Sequence, residues 1–300
     1  MSTRHPQAYR GRFAPSPTGD LHSGSLVAAL ASWLRARQRG GAWLLRIEDI
    51  DPPRELEGSA QSILAALNRL ALEADAPVLY QSRREDAYAL ALQQLRDEGH
   101  AFACWCSRTD LEGACALHRD GRCISSPRDD RDPAWRLRVP NGEIAFEDGL
   151  QGNQRQNVRA VVGDFVLKRA DGLWSYQLAC VVDDAFQGIT EVVRGCDLLD
   201  STPRQILLQH LLGLPTPAYL HLPLAVDAEG RKLSKSTDAP AIDAHDPQAA
   251  HARALRFLGQ PVQNAPDVAT LLRIAARVFD ITPLRGMTAR TIDGITLEMS

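Results

Sequence analysis

Residues 15–26 read Pro-Ser-Pro-Thr-Gly-Asp-Leu-His-Ser-Gly-Ser-Leu, and they sit between two segments of opposite periodicity. Before them, residues 9–14 alternate as a short strand. After them, Leu26, Leu30, Trp33 and Leu34 recur at helical spacing from Ser25 onward. Gly40-Gly41 ends that helix, and residues 42–47 form an apolar run of strand length. Strand, loop, helix, strand is the repeating unit of a parallel α/β sheet. A helix start presents unpaired N–H groups and a positive dipole end. Glycines beside it allow close approach, so the loop reads as a phosphate site with His22 as a hydrogen-bond donor.

At 300 residues the chain suggests roughly two domains, and the remaining pattern continues the α/β alternation. Helices are expected over 59–72, 84–98, 202–212, 248–258 and 268–279. Strands are expected over 161–166, 176–182 and 221–226. Residues 101–140 have little periodicity and read as a loop-rich insertion. Hydrophobic residues make up 44% and charged residues 24%, which excludes a mainly disordered chain. Net charge is −3, so a polyanionic partner would have to meet a local basic surface. No apolar run approaches the roughly 20 residues of a membrane span, and no secretory h-region follows Met1. The expected compartment is the cytoplasm.

Of the six cysteines, Cys104, Cys106, Cys115 and Cys123 fall within one short stretch. Without a secretory signal, such a cluster reads as metal before disulfide. Cys104 and Cys106 supply one arm of a four-ligand site. Cys123 with His118 or Cys115 supplies the other, and His118 is favoured. Cys180 and Cys196 read as packing residues.

Residues 15–26 resemble the first signature of class I aminoacyl-tRNA synthetases, in the form used by glutamyl-tRNA synthetases. His22-Ser23-Gly24-Ser25 stands where that family has its His-x-Gly-His element. Ser25 replaces the second imidazole, which leaves more of the phosphate contact to His22. Residues 230–236, Gly-Arg-Lys-Leu-Ser-Lys-Ser, resemble the second signature, Lys-Met-Ser-Lys-Ser, with Leu233 for methionine. Residues 46–54 (RIEDIDPPR), 176–184 (YQLACVVDD) and 193–205 (VRGCDLLDSTPRQ) resemble the same family, so the likeness spans about 9–240. The 64 residues after Ser236 carry six Lys/Arg against seven Asp/Glu, too short and too acidic for the large anticodon-binding region of a full glutamyl enzyme. A catalytic half alone is similar to the glutamyl-Q tRNA(Asp) synthetase family. Its members activate glutamate with ATP and transfer it to the queuosine base in the anticodon of tRNA(Asp).

The resemblance implies a Rossmann-type parallel-sheet catalytic domain with a small zinc-binding insertion and a short helical C-terminal tail. Its halves would be 1–100 and 141–240, the insertion 101–140 and the tail 241–300, with no anticodon-binding domain. For L-glutamate it implies Arg12 and Arg194 near the side-chain carboxylate, Glu48 at the α-ammonium and Tyr176 as a hydroxyl donor, with Ala14 and Ser16 beside them. A guanidinium fork suits a carboxylate because it binds bidentately. For ATP, accompanied by Mg2+, it implies His22, Gly24 and Ser25 at the phosphates, Lys235 at the departing pyrophosphate, and Lys232 assisting. One structural Zn2+ per chain belongs to the same implication. Arginines at 119, 122, 128, 131, 136 and 138 are candidates for the tRNA grip, and a monomer is the default. Two alternatives stay open: a truncated enzyme charging tRNA(Glu), and a non-catalytic glutamate-binding module.

Overall fold

Parallel pairing at the N-terminus follows from the sequence pattern there. Arg10–Phe13 is a strand (β1), Ser23–Gln38 a helix (α1) and Ala42–Ile47 a second strand (β2). The computed structural model describes residues 8–107, 110–111, 117–227 and 246–291. In it β1 and β2 run parallel, from Arg10 opposite Ala42 to Phe13 opposite Leu45. The reversal between α1 and β2 uses Gly40 at φ +60°, a left-handed conformation that glycine adopts without strain.

The chain continues through a helix at Ser59–Arg69 (α2), a short strand at Leu79–Tyr80 (β3) and a helix at Glu85–Asp97 (α3). Strands follow at Ala101–Cys104 (β4), Ala134–Leu137 (β5), Ile144–Asp148 (β6) and Gly152–Gln156 (β7). Next come a one-turn helix at Val158–Val161 (α4) and a strand at Val166–Lys168 (β8). The second half holds a helix at Tyr176–Phe186 (α5), a strand at Glu191–Gly195 (β9) and a helix at Thr202–Leu211 (α6). Strands at Ala218–Leu222 (β10) and Leu224–Val226 (β11) follow, then helices at Pro247–Phe257 (α7) and Val268–Val278 (α8), and a last strand at Ala289–Thr291 (β12).

β3 extends β2 in parallel, and β9 pairs with β10 in parallel. The two groups meet at β1, where the Thr190 amide donates to the Arg10 carbonyl at 2.9 Å. Sequence order thus runs outward from β1, through β2 and β3 on one side and β9 and β10 on the other, which makes β1 the switch point of a Rossmann-type arrangement. Ligands of such sheets bind beyond the carboxyl ends of the strands at that point. One core cluster joins α1, β1, β2 and α2 to Leu255 and Phe257 of α7 and Leu271 and Leu272 of α8, so the C-terminal helices complete this core. Among the described residues, no helix is long and apolar enough to cross a membrane.

Three expectations change. Residues 176–182 are helix, not strand. Val181 and Val182 favour a strand locally, but Ser175 caps a helix by accepting from the Leu178 amide, and that helix buries Leu178 and Val181. Residues 161–166 are not one strand either. Asn157 caps the single turn of α4, and the strand begins only at Val166. The strand over 221–226 is two strands, β10 and β11, parted at Pro223, whose missing N–H cannot join a ladder. β11 pairs with β12 instead. The 101–140 segment contributes β4 and β5, which form an antiparallel sheet completed by β8.

Candidate active site

A cleft of about 1170 Å3 opens at the carboxyl ends of β1, β2, β9 and β10, against the start of α1. Arg12, Ala14, Ser16, His22, Gly24, Ser25, Glu48, Tyr176 and Arg194 all line it. Segments far apart in the chain thus converge where a switch-point site belongs.

At the start of α1, His22 is the cap residue. Its Nδ1 accepts from the Ser25 amide at 3.3 Å, and its Nε2 lies 3.0 Å from the Ser25 hydroxyl. The imidazole thus occupies the helix start that the sequence reading reserves for phosphate. A Cβ added at Gly24 would lie 3.3 Å from the His22 ring, so the glycine leaves room for the ring at that cap.

Behind Arg12 and Glu48, which line the cleft, lies a buried ionic cluster. Asp184 accepts from Arg12 Nε at 3.1 Å and from Arg46 Nη1 at 2.7 Å. Burial opposes ionisation of Asp184, but the two guanidiniums outweigh it and hold the carboxyl at about 2. Arg46 also donates to Glu48 at 3.1 Å and to Gln187 at 2.9 Å. Burial lifts Glu48 above the usual carboxylate range, against the pull of Arg46 and Arg12. The Cys180 thiol donates to Asp184 at 3.5 Å, and burial pushes it up to about 12, so it stays protonated. Tyr176, Cys180 and Asp184 stand at i, i+4 and i+8 of α5, one face of a helix. That face is why the change from strand to helix matters for the site. The preceding residue, Asp183, points away and accepts from Gln81, Arg84 and Tyr88, tying α5 to α3.

Arg194 is held differently. Its Nη1 donates to the Tyr176 hydroxyl at 3.1 Å and its Nη2 to Thr202 Oγ1 at 2.8 Å and the Leu198 carbonyl at 3.3 Å. Its Nε donates to His221 Nε2 at 3.0 Å. Among the described residues these acceptors are all neutral, although Arg194 is buried. Burial raises Tyr176 well above the ordinary phenol range, so its hydroxyl keeps a proton to donate. Sequence reasoning assigned no role to Arg46, Asp184, His221 or Asp148. The helical spacing from Tyr176 to Asp184 was a usable signal for Asp184; nothing local marks His221 or Asp148.

In the insertion, the Sγ atoms of Cys104, Cys106 and Cys123 lie within 4.8 Å of one another. Cys106 and Cys123 are 3.8 Å apart, and the Trp105 amide donates to Cys123 Sγ at 3.2 Å. Burial opposes ionisation of Cys106, but hydrogen bonds from Ser125 and the neighbouring amides outweigh it and bring the thiol to about 6. His118 does not join this group, which corrects its expected place as the fourth ligand. Its Nδ1 lies 2.9 Å from Asp164 Oδ2, and its ring packs against Phe102. Asp164 also accepts from the Gly121 and Val139 amides, so it anchors His118 to the strand framework. The alternative, Cys115, lies outside the described residues, as do Lys232 and Lys235.

Residues 8–278 match the family model for the catalytic domain of class I tRNA synthetases (E and Q). The chain is 54% identical to the glutamyl-Q tRNA(Asp) synthetase of Xanthomonas oryzae pv. oryzae over 276 residues, 91% of each chain. It is 54% identical to that of Cupriavidus metallidurans over 296 residues, 93% of this chain and 95% of the other. Among solved structures, the glutamate-tRNA synthetase of Elizabethkingia anophelis superposes with a TM-score of 0.79 at 26% identity, over 95% of this chain and 68% of that one. Fold, cleft and relatives agree: the chain belongs to the class I tRNA synthetases of the glutamate and glutamine branch, within the glutamyl-Q tRNA(Asp) synthetase family.

Proposed function

We propose that the protein activates L-glutamate with ATP and transfers it to the queuosine base in the anticodon of tRNA(Asp). The observation that carries the reading is Arg194, a buried guanidinium at the cleft whose acceptors among the described residues are all neutral. A buried cation favours an arriving anion, and a carboxylate matches the guanidinium fork. Arg12 is already paired with Asp184, which offsets its charge and leaves Arg194 as the cation without an anionic partner among the described residues. Glu48 would take the α-ammonium, and that cation would offset the burial that disfavours its charge. The names of the relatives support queuosine as the acceptor.

With both ends of glutamate held, its α-carboxylate would meet ATP at His22, Gly24 and Ser25. His22 would have to leave the Ser25 amide for a phosphate oxygen to replace it. A carboxylate oxygen attacks the α-phosphorus in line, the bond to the bridging oxygen breaks, and pyrophosphate leaves. No general base is needed, because the nucleophile is already ionised. Magnesium comes with ATP as counter-ion to its phosphates. Lys235, aided by Lys232, would offset the charge that builds on the leaving group. A queuosine hydroxyl then attacks the acyl carbon of the adenylate, forming the glutamyl ester and releasing AMP.

The direct test is ATP–pyrophosphate exchange. It is expected to depend on L-glutamate and to be absent with L-glutamine. Exchange with glutamine in place of glutamate would overturn the substrate assignment. Lys235→Ala is expected to leave the glutamate dissociation constant nearly unchanged and slow activation at least tenfold, roughly 1.4 kcal/mol in the barrier. An unchanged single-turnover rate would remove Lys235 from the mechanism.

Cys104, Cys106 and Cys123 would hold one structural zinc. A tetrahedral site with Zn–S bonds of about 2.3 Å places its sulfurs about 3.8 Å apart, and Cys106 and Cys123 are 3.8 Å apart. Zinc would supply a crosslink here and no chemistry at the cleft. Metal analysis of protein purified without chelator is expected to give about one zinc per chain, and Cys123→Ser to lose it and melt at lower temperature. Well under one zinc in the parent protein would end this assignment.

A further inference from the structure

The guanidinium proposed to meet the substrate is aimed by a buried pair that lies behind it. His221, on β10, is fully buried, and its two ring nitrogens face different partners. Nε2 receives Arg194 Nε at 3.0 Å, and Nδ1 lies 2.6 Å from Asp148 Oδ2. An arginine Nε–H only donates, so His221 Nε2 must accept, and the ring proton sits on Nδ1, where it donates to Asp148. Asp148 is fixed in turn. Its Oδ1 accepts from the Leu150, Gln151 and His221 amides at 3.0, 2.8 and 3.2 Å. The register brings the two together, because Asp148 at the end of β6 pairs with Tyr219 of β10. The His221 ring stacks on that same Tyr219 at an interplanar angle of 10°.

The chain of partners therefore runs from three backbone amides through Asp148 and His221 to Arg194 and the Tyr176 hydroxyl. Four of the five guanidinium protons are spent on this frame. One Nη1 proton has no partner among the described residues, and the Tyr176 hydroxyl keeps its own. We infer that Asp148 and His221 are positioning residues that set glutamate affinity by orienting Arg194, without touching the substrate. The inference rests on the proposed role of Arg194 in binding the glutamate carboxylate.

Asp148→Asn makes a sharp test. The three amides require an oxygen at the Oδ1 position, so the new amide nitrogen would face His221 Nδ1. That nitrogen would then have to accept, which moves the ring proton to Nε2, against Arg194 Nε–H. Two donors would oppose each other, and Arg194 would be displaced. His221→Asn removes the acceptor for Arg194. His221→Gln places an amide oxygen near the position of Nε2 and keeps that acceptor.

The measurements are the glutamate dissociation constant by calorimetry and the KM values for glutamate and ATP in pyrophosphate exchange, with melting temperature as the folding control. Asp148→Asn and His221→Asn are expected to raise the glutamate dissociation constant and KM tenfold or more, with the KM for ATP within twofold of the parent. His221→Gln is expected to stay within threefold. Unchanged glutamate affinity in folded Asp148→Asn or His221→Asn protein would overturn the relay, as would equal losses in all three variants. Should Asp148→Asn fail to fold, the contrast between the two His221 variants decides. If the parent protein neither binds glutamate nor supports exchange with it, the functional reading fails first, and the relay falls with it.

Discussion

Replacing Arg46 with alanine is expected to lower the unfolding free energy by about 3–5 kcal/mol, the usual consequence of removing one partner from a buried ionic group. Arg46 has no exposed side-chain surface and donates to Asp184, Glu48 and Gln187. Without it, two buried carboxylates share Arg12 alone. Glu48 is already lifted by burial and would be neutral over more of the pH range. Against a total stability of about 5–15 kcal/mol the loss is large. In urea it corresponds to a midpoint lower by about 1 M or more. Arg46→Met keeps most of the volume without the charge, and an equal loss there would assign the effect to electrostatics. A midpoint within about 0.2 M of the parent in both variants would mean that the buried cluster does not depend on this cation.

Arg194→Ala is expected to lower kcat/KM for glutamate in pyrophosphate exchange by about 30-fold or more. Truncating one partner of a buried charged contact typically costs 2–5 kcal/mol, and each 1.4 kcal/mol is about tenfold. The KM for ATP should stay close to the parent value, because the proposed phosphate contacts lie at the start of α1. Arg194→Lys should not restore activity. A lysine has no planar fork and cannot meet Tyr176, Thr202 and His221 together. A loss below tenfold would place the carboxylate on another cation, with Arg12, which also lines the cleft, as the candidate.

The N-terminal unit was legible because its cues are local. A glycine-rich turn, a helical repeat and a short apolar run each act within a few residues, and they give β1, α1 and β2 as observed. Residues 176–182 mislead because their β-branched pair favours a strand locally, whereas the serine cap before them starts a helix. Yet the period from Tyr176 through Cys180 to Asp184 was visible in the letters and is the period of the observed helix. His118 lies near the cysteines in sequence, which makes it a candidate metal ligand. Proximity in sequence does not foresee Asp164, which is supplied from 46 residues away. The same limit hides the Asp148–His221 pair, which is 73 residues apart in sequence and joined only by strand register. Residues that touch a ligand tend to sit in recognisable loops, whereas those that aim them are placed by tertiary pairing.

The central claim is glutamate transfer to a modified base. It is tested most directly by offering radiolabelled glutamate, ATP and magnesium with three separate RNAs: tRNA(Asp) bearing queuosine, tRNA(Asp) lacking it, and tRNA(Glu). Label on the first alone is the expected result. Label on tRNA(Glu), or on tRNA(Asp) regardless of queuosine, would contradict it and return the protein to the charging of tRNA ends.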